Sequence, residues 1–264
     1  MMIRRVLLFC AAFVLIQAGW ASAAPGGRTP PPKYGPAEAA YAAPLWQSHE
    51  YFQSTKNPAP DFWPLITHYT GQQNSISCSV AAVAMVLNAI NRTHGALRAQ
   101  DANYQQSRLI DDVKAVHWKE RVTGDGWKGR RGLTLAELAD VMTDALKTYG
   151  ITGWTVSLRS FQDVAPGALE ELRAILQANE SSADDFVMVH FLQDRLTDDP
   201  GGPYAHISPV GAYDAARGRV LILDVDRDYY GPYWVSVERL LAALAARTPV
   251  YGYGGLLIVR RVSR

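Results

Sequence analysis

Residues 70–90 read TGQQNSISCSVAAVAMVLNAI, a polar segment followed by a long apolar one. In the apolar part, small residues are interleaved with larger ones, which is typical of a helix buried on most of its sides. Cys78 stands at the junction of the two parts. The pattern predicts a buried helix with a thiol at its N-terminal end.

The composition of the 264-residue chain is that of a globular protein. Hydrophobic residues make up 48% and aromatic residues 10%, which is enough for an ordinary core. The 26 basic and 25 acidic residues give a formal net charge of +1. This balance does not favour a nucleic acid as partner.

The N-terminal residues have the parts of a secretory signal peptide. Arg4 and Arg5 precede the apolar stretch VLLFCAAFVLIQAGW, and the small-residue sequence ASA ends at Ala23. We expect residues 1–23 to be removed on export to the periplasm or the medium, with no stable membrane anchor afterwards. The alternative is a retained anchor, for which the apolar stretch is short.

The rest of the chain divides by composition. Residues 24–57 are rich in Pro, Gly and Ala and are predicted to form a linker or an arm along the surface. Residues 58–264 have globular patterning and are predicted to form one folded domain. Helical patterns, one with a capping box at Thr134 and Glu137, come before most segments with strand periodicity. This order predicts an α+β fold, with a helical part packed on an antiparallel sheet.

The thiol of Cys78 is a candidate nucleophile. Removal of residues 1–23 would also remove Cys10, and a lone thiol in an oxidising compartment is a liability unless its chemistry is needed. A helix N-terminus stabilises a thiolate, and its N–H groups can bind an oxyanion. Gln72 and Gln73 could add a side-chain donor. The alternative is an inert buried cysteine.

Residues 206–226, HISPVGAYDAARGRVLILDVD, predict a β-hairpin. If the turn is centred on residue 215, His206 and Asp224 lie directly opposite each other and share a face. A carboxylate that orients a histidine is a recurring part of nucleophilic catalysis. The two residues are therefore candidates to complete a triad with Cys78. The alternatives are a structural histidine and an aspartate that caps a loop.

A metal site built from protein ligands is not predicted. The other five histidines lack the spacing of metal ligands, and DVDRDYYG lacks the glycine and glutamate positions of a calcium loop.

Three separated segments resemble the phytochelatin synthases, which belong to the papain-like cysteine peptidase superfamily. The segments are DFWPLITHYTGQQNSISC, GLTLAEL and HISPVGAYDAARGRVLILDVDRDYYGPYWV. The resemblance covers roughly residues 58–264. The cysteine-rich C-terminal region of plant members has no counterpart here, so we expect the short bacterial type.

The resemblance implies a mechanism. Cys78 would attack the Cys–Gly amide of glutathione, with Gln72 in the oxyanion hole. His206 would act as base and then as acid, and Asp224 would orient it. The γ-glutamylcysteinyl group would pass from a thioester to a second glutathione or to water. No cofactor is implied, and cadmium or zinc would enter as part of a metal–thiolate substrate.

Three further residues, Arg227, Tyr230 and Trp234, fall at family positions and are predicted to bind substrate. Two others depart from the family: Ser79 replaces a glycine, and Gly254 stands where relatives have an arginine suited to a substrate carboxylate.

These departures keep a second function open, a periplasmic papain-like amidase acting on another γ-glutamyl or peptide substrate. A third hypothesis is a binding protein for soft metals, for which a single cysteine is a poor site. The sequence leaves open whether transfer or hydrolysis predominates, and whether the chain forms a homodimer.

Overall fold

A helix that begins at Cys78 forms the centre of the fold, and every residue from Ser79 to Ile90 in it is buried. The computed structural model describes residues 42–94, 103–162, 164–199 and 201–262. They lie within one compact unit, Pro32–Arg264. The predicted signal peptide and the arm before residue 42 lie outside the described residues.

The α-helices of the described chain are α1 (Phe62–Thr67), α2 (Cys78–His94), α3 (Gln106–Asp112), α4 (Trp118–Arg121), α5 (Leu135–Thr148), α6 (Ala168–Glu180), α7 (Gln193–Thr197) and α8 (Val237–Ala245). The strands are β1 (Ala43–Pro44), β2 (Trp154–Ser160), β3 (Asp185–Leu192), β4 (Ala205–Asp214), β5 (Arg219–Ile222), β6 (Tyr233–Ser236), β7 (Arg247–Thr248), β8 (Gly252–Tyr253) and β9 (Gly255–Arg261). Short 3-10 turns occupy Leu45–Gln47, Glu50–Gln53 and Ala115–His117.

Seven of these strands form one antiparallel sheet in the order β1-β6-β5-β4-β3-β9-β2. Helices cover both of its faces. On one face, α2 and α5 pack against inward side chains such as Phe186 and Met188. On the other, α6 and α8 pack against Val187 and Val189. Because successive residues of β3 point to opposite faces, all of its residues are buried.

The expected α+β architecture is confirmed: the helix that carries Cys78 packs on an antiparallel sheet. The capping box is present, since Thr134 Oγ1 accepts from the Glu137 N–H and Glu137 accepts from the Thr134 N–H. β2 and β6 were not predicted. β2 is a mostly exposed strand at the edge of the sheet, although Trp154, Val156 and Leu158 alternate with polar residues along it.

Part of the predicted arm is described, and it is in contact with the domain. Residues 43 and 44 pair with β6 as strand β1, and the Tyr51 hydroxyl donates a 2.7 Å hydrogen bond to Glu180. Within the described ranges, none of the helices has the length and apolarity needed to cross a membrane.

Candidate active site

Cys78 is the first residue of α2, and the loop before it is tightly folded. The Ser77 hydroxyl accepts 3.1 Å hydrogen bonds from the N–H groups of Gln73 and Asn74, and the Ser77 carbonyl accepts from Val80. The N–H of Cys78 belongs to the first helical turn, whose donors have no intrahelical acceptor. The partly exposed thiol thus lies beside donors suited to an oxyanion.

His206, the second residue of β4, contacts both predicted partners. Its Nε2 atom lies 2.8 Å from Oδ1 of Asp224, and the Cys78 thiol lies close enough to the ring to contribute to the raised pKa of His206. Since Nε2 faces the carboxylate, Nδ1 is the nitrogen left for the thiol. The edge of the ring packs against Phe191, at 5.5 Å between centroids, which fixes the imidazole plane.

Asp224 is fully buried, and both of its carboxylate oxygens accept two hydrogen bonds. Oδ1 accepts from His206 and, at 2.9 Å, from the Asp226 N–H. Oδ2 accepts from the Tyr233 hydroxyl at 2.9 Å and from Gln193 Nε2 at 3.0 Å. Burial alone would raise the pKa of Asp224, but the charge of His206 and these hydrogen bonds lower it.

The environment of His206 favours the imidazolium. Burial opposes it, but the charge of Asp224 and the hydrogen bonds to Asp224 and Cys78 raise the pKa of His206 well above its usual value. The three side chains therefore form a chain of donors and acceptors that can move a proton to or from a reacting group.

The predicted hairpin register is wrong, although the predicted contact is present. Asp214 pairs with Arg219, so the turn comprises residues 215–218, and His206 is not directly opposite Asp224. A bulge at Gly211 shifts the pairing by one residue, from Ala212 with Leu221 to Val210 with Ile222. Asp224 lies just beyond the end of β5, where it reaches His206 diagonally.

A cavity of about 590 Å³ adjoins Cys78 and His206, whereas the buried Asp224 is not part of its wall. Its wall includes Gln72, Cys78, His190, Tyr204, His206 and Tyr251. The Gln72 N–H donates a 2.8 Å hydrogen bond to the Val225 carbonyl, which ties the loop before α2 to the segment of Asp224. Gln73, the other predicted donor, does not line the cavity in the described part of the chain.

The three residues predicted to bind substrate differ in their position relative to the cavity. Tyr230 lines the cavity but is buried, and its hydroxyl donates a 2.9 Å hydrogen bond to Asp199. Arg227 is exposed, lies over the Tyr69 ring and is not among the residues that line the cavity, although its neighbours Asp226 and Asp228 are.

Trp234 requires correction as a substrate contact. It is 2% exposed in the core around α2, and its Nε1 donates to the Ser48 carbonyl. Its position next to Tyr233 in β6 turns its ring to the opposite face of the sheet.

The two departures from the family, Ser79 and Gly254, do not affect the cavity in the way that the sequence suggested. The Ser79 hydroxyl accepts a 2.9 Å hydrogen bond from Trp118 Nε1 inside the core, so its bulk does not crowd the cavity. At Gly254, a Cβ would lie 2.1 Å from the His190 carbonyl oxygen. This backbone cannot hold an arginine at that position, so Gly254 says nothing about a lost substrate contact.

Sequence reasoning missed the residues that hold Asp224. Gln193 and Tyr233 donate to its carboxylate, and the Tyr69 hydroxyl donates to its backbone carbonyl. Tyr69 and Tyr233 lie inside segments that resemble the family, but nothing in their spacing points to Asp224, and Gln193 lies outside those segments. His190 was also missed: it lines the cavity, and burial lowers its pKa to about 4, so it stays neutral beside the cationic His206.

A cysteine at a helix N-terminus, paired with a histidine that a buried carboxylate orients, is the arrangement of enzymes that form acyl-cysteine intermediates. The sequence model of a protein family described as Phytochelatin synthase matches residues 45–252. The chain belongs to this family, which confirms the resemblance seen in the sequence.

Curated relatives carry the corresponding activity in their names. Glutathione gamma-glutamylcysteinyltransferase 1 of Triticum aestivum is 24% identical over 204 residues, covering 76% of this chain and 36% of the relative. Glutathione gamma-glutamylcysteinyltransferase 3 of Lotus japonicus is 26% identical over 204 residues, covering 77% and 38%. The chain thus spans little more than a third of these relatives. Among solved structures, the Pseudomonas avirulence protein AvrPphB is 10% identical with a TM-score of 0.32, covering 76% of this chain and all of its own.

Proposed function

We propose that the protein is a cysteine acyltransferase or hydrolase that cleaves the Cys–Gly bond of glutathione. The observation that carries the proposal is the contact of His206 with both Cys78 and Asp224 at the edge of a cavity. Family membership and the names of the curated relatives supply the substrate class.

The reaction would proceed in two steps. The Cys78 thiolate attacks the carbonyl carbon of the Cys–Gly amide, a thioester forms as the C–N bond breaks, and His206 gives its proton to the leaving glycine amine. In the second step, the amino group of another glutathione, or water, attacks the thioester. His206 takes the proton of that nucleophile, and the Cys78 sulfur leaves as the thiolate, which restores the starting pair.

The charge of the cavity wall suits the ammonium group of a γ-glutamyl substrate. Asp226 and Asp228 line the cavity, whereas no lysine or arginine does so within the described ranges. Carboxylates attract an ammonium group and repel the carboxylates of glutathione. The same observation supports the second candidate, an amidase for other γ-glutamyl or amino-terminal peptide substrates.

Glycine release measured by mass spectrometry tests the reaction, with glutathione as substrate in the presence and absence of cadmium. The wild-type chain should release glycine, and Cys78→Ala and His206→Ala should not. Cys10→Ala is the matched control and should keep the activity. Release that persists in Cys78→Ala would contradict the proposal. No release from a chain whose Cys78 is readily alkylated would favour the second candidate.

A substrate with a blocked amino group tests the charge of the wall. N-acetylglutathione should have a higher KM than glutathione, and Asp228→Asn should narrow that difference. If Asp228→Asn changes both KM values equally, the carboxylate does not recognise the ammonium group.

Export and metal–thiolate substrates also belong to the proposal, supported by the N-terminal sequence pattern and by the family resemblance. Protein recovered from the periplasm or the medium should begin at Ala24. Intact Met1 in a membrane fraction would contradict export by a cleaved signal.

A further inference from the structure

The pairing of β4 with β5 changes register at one residue. The pairing is regular next to the turn, where Asp214 pairs with Arg219, Tyr213 with Val220 and Ala212 with Leu221, so the two residue numbers of each pair add up to the same value. Val210 pairs with Ile222, for which the sum is one lower. Gly211 is the extra residue, a one-residue β-bulge.

This shift decides which faces His206 and Asp224 occupy. Side chains alternate along a strand. A residue on β5 or just after it therefore shares a face with His206 only if it lies an even number of residues from the residue directly opposite His206. If the register next to the turn continued without the bulge, His206 would lie opposite residue 227. Asp224 is an odd number of residues from that position, so its side chain would be on the other face of the sheet. With the bulge, His206 is opposite residue 226, an even step from Asp224.

The two halves of the core show the same break in alternation. Val210 and Ala212 would share a face in a regular strand, yet Val210 packs with the core around α6 and α8 and Ala212 with the core around α2. Across from them, Val220, Leu221, Ile222 and Leu223 alternate regularly between the two cores. The irregularity therefore lies in β4, at Gly211.

Gly211 has no room for a side chain in this conformation. A Cβ there would lie 2.9 Å from Leu223 Cγ, 3.0 Å from Leu223 Cδ2 and 3.1 Å from Leu221 Cδ2. Both leucines are fully buried. Leu223 precedes Asp224, so a side chain that displaces Leu223 also displaces the carboxylate.

We propose that Gly211 is a positioning residue, whose bulge places the Asp224 carboxylate on the same face of the sheet as the His206 ring. The link to catalysis rests on the proposed function, whereas the placement of the two side chains does not. Gly211 touches no reacting atom and acts only through Leu223 and the register.

The experiment compares Gly211→Ala with Gly211→Ala/Leu223→Ala in the full chain. Leu223→Ala alone is the reference for the double variant, because it removes both Leu223 atoms that the new Cβ would meet. Gly231→Ala is the matched glycine control, since a Cβ there meets nothing within 4 Å. The readouts are the NMR titration of the His206 ring and glycine release from glutathione.

Gly211→Ala should lower the pKa of His206 toward its usual value and reduce kcat about 10²-fold, with KM changed less than about twofold. The double variant should recover the titration seen in Leu223→Ala. Gly231→Ala should behave as wild type. A folded Gly211→Ala chain with wild-type titration and kcat would overturn the proposal.

Two outcomes keep the test decisive. If Gly211→Ala does not fold, the double variant is compared with Leu223→Ala alone. A raised His206 pKa in both variants supports the proposal. A raised His206 pKa that is present in Leu223→Ala but lost in the double variant overturns it. If the wild-type chain releases no glycine, the proposed function fails, yet the His206 titration still decides whether Gly211 positions the pair.

Discussion

His206 Nε2 lies 2.8 Å from Asp224 Oδ1, while the other oxygen of Asp224 accepts from Tyr233 and Gln193. With donors on both sides, this carboxylate cannot be replaced by an amide without a conflict. An amide NH₂ at either position would face groups that donate.

Asp224→Asn should therefore change the charge of His206. The folded-state pKa of His206 is raised mainly by the charge and hydrogen bond of Asp224, against the effect of burial. The amide should lower it, so the ring loses its proton at lower pH and kcat falls roughly 10²-fold or more. Alkylation of Cys78 by iodoacetamide as a function of pH measures the change: the rate at neutral pH should fall.

Tyr233→Phe gives the comparison that keeps the charge, because it removes one donor to Asp224 and leaves Gln193 in place. Its effect on the pKa of His206 should be small and of opposite sign, since a carboxylate with one donor fewer interacts more strongly with the imidazolium. Wild-type pH profiles in both variants would show that Asp224 does not control the charge of His206.

The same raised pKa predicts a pH dependence of stability. The folded-state pKa of His206 exceeds its unfolded value, near 6.5. The pair contributes its full stabilisation between the unfolded pKa values of Asp224, 3.8, and His206, 6.5, and loses it as the pH rises through the folded-state pKa of His206. Denaturant unfolding of wild type and His206→Gln should therefore differ most between about pH 4 and 6.5, and a difference that grows above pH 6.5 would contradict the assignment.

Gln72→Ala should reduce kcat by roughly 10²-fold with little change in KM, because an oxyanion donor acts on charge that develops in the transition state. Gln73→Ala is the matched control: its side chain does not line the cavity within the described residues, and kcat should stay near the wild-type value. Steady-state kinetics of glycine release measures both. Equal losses in the two variants would place the effect in the loop rather than in the Gln72 amide.

Ser79→Ala should destabilise the protein by about 1–3 kcal/mol, because it leaves the buried Trp118 Nε1–H without its acceptor. Activity per folded molecule should not change. Chemical denaturation followed by Trp fluorescence measures the loss. A gain of glutathione activity in Ser79→Gly would instead show that Ser79 restricts the cavity.

Gly254→Ala should unfold the protein or destabilise it severely, since its Cβ would overlap the carbonyl oxygens of His190 and Leu244 at 2.1 and 2.9 Å. Gly218→Ala is a milder comparison: its Cβ has open space and only the positive φ opposes it. Thermal unfolding of both variants gives the contrast. A stable Gly254→Arg chain with improved glutathione turnover would restore the family interpretation of this position.

The sequence by itself determined the helix of Cys78, the cap of α5 and the principal strands, and it indicated that His206 and Asp224 lie near each other across a hairpin, although with the wrong register. Each of these depends on local patterning: an apolar run, a capping box, a period of two, and a turn between two strands. The resemblance to a family added the roles of the residues, since three motifs at matching positions survive at low overall identity.

Only the tertiary structure decided the register of β4 with β5, the residues that hold Asp224, and the surroundings of Trp234 and Ser79. A one-residue bulge reverses the face of every residue beyond it, and an isolated glycine such as Gly211 is compatible with a bulge without requiring one. Gln193, Tyr233 and Tyr69 reach Asp224 from separate segments, so no spacing marks them. Trp234 matches the family and Ser79 departs from it, but the side chains of both are buried in the core. Which face of an element is buried is set by what packs against that element.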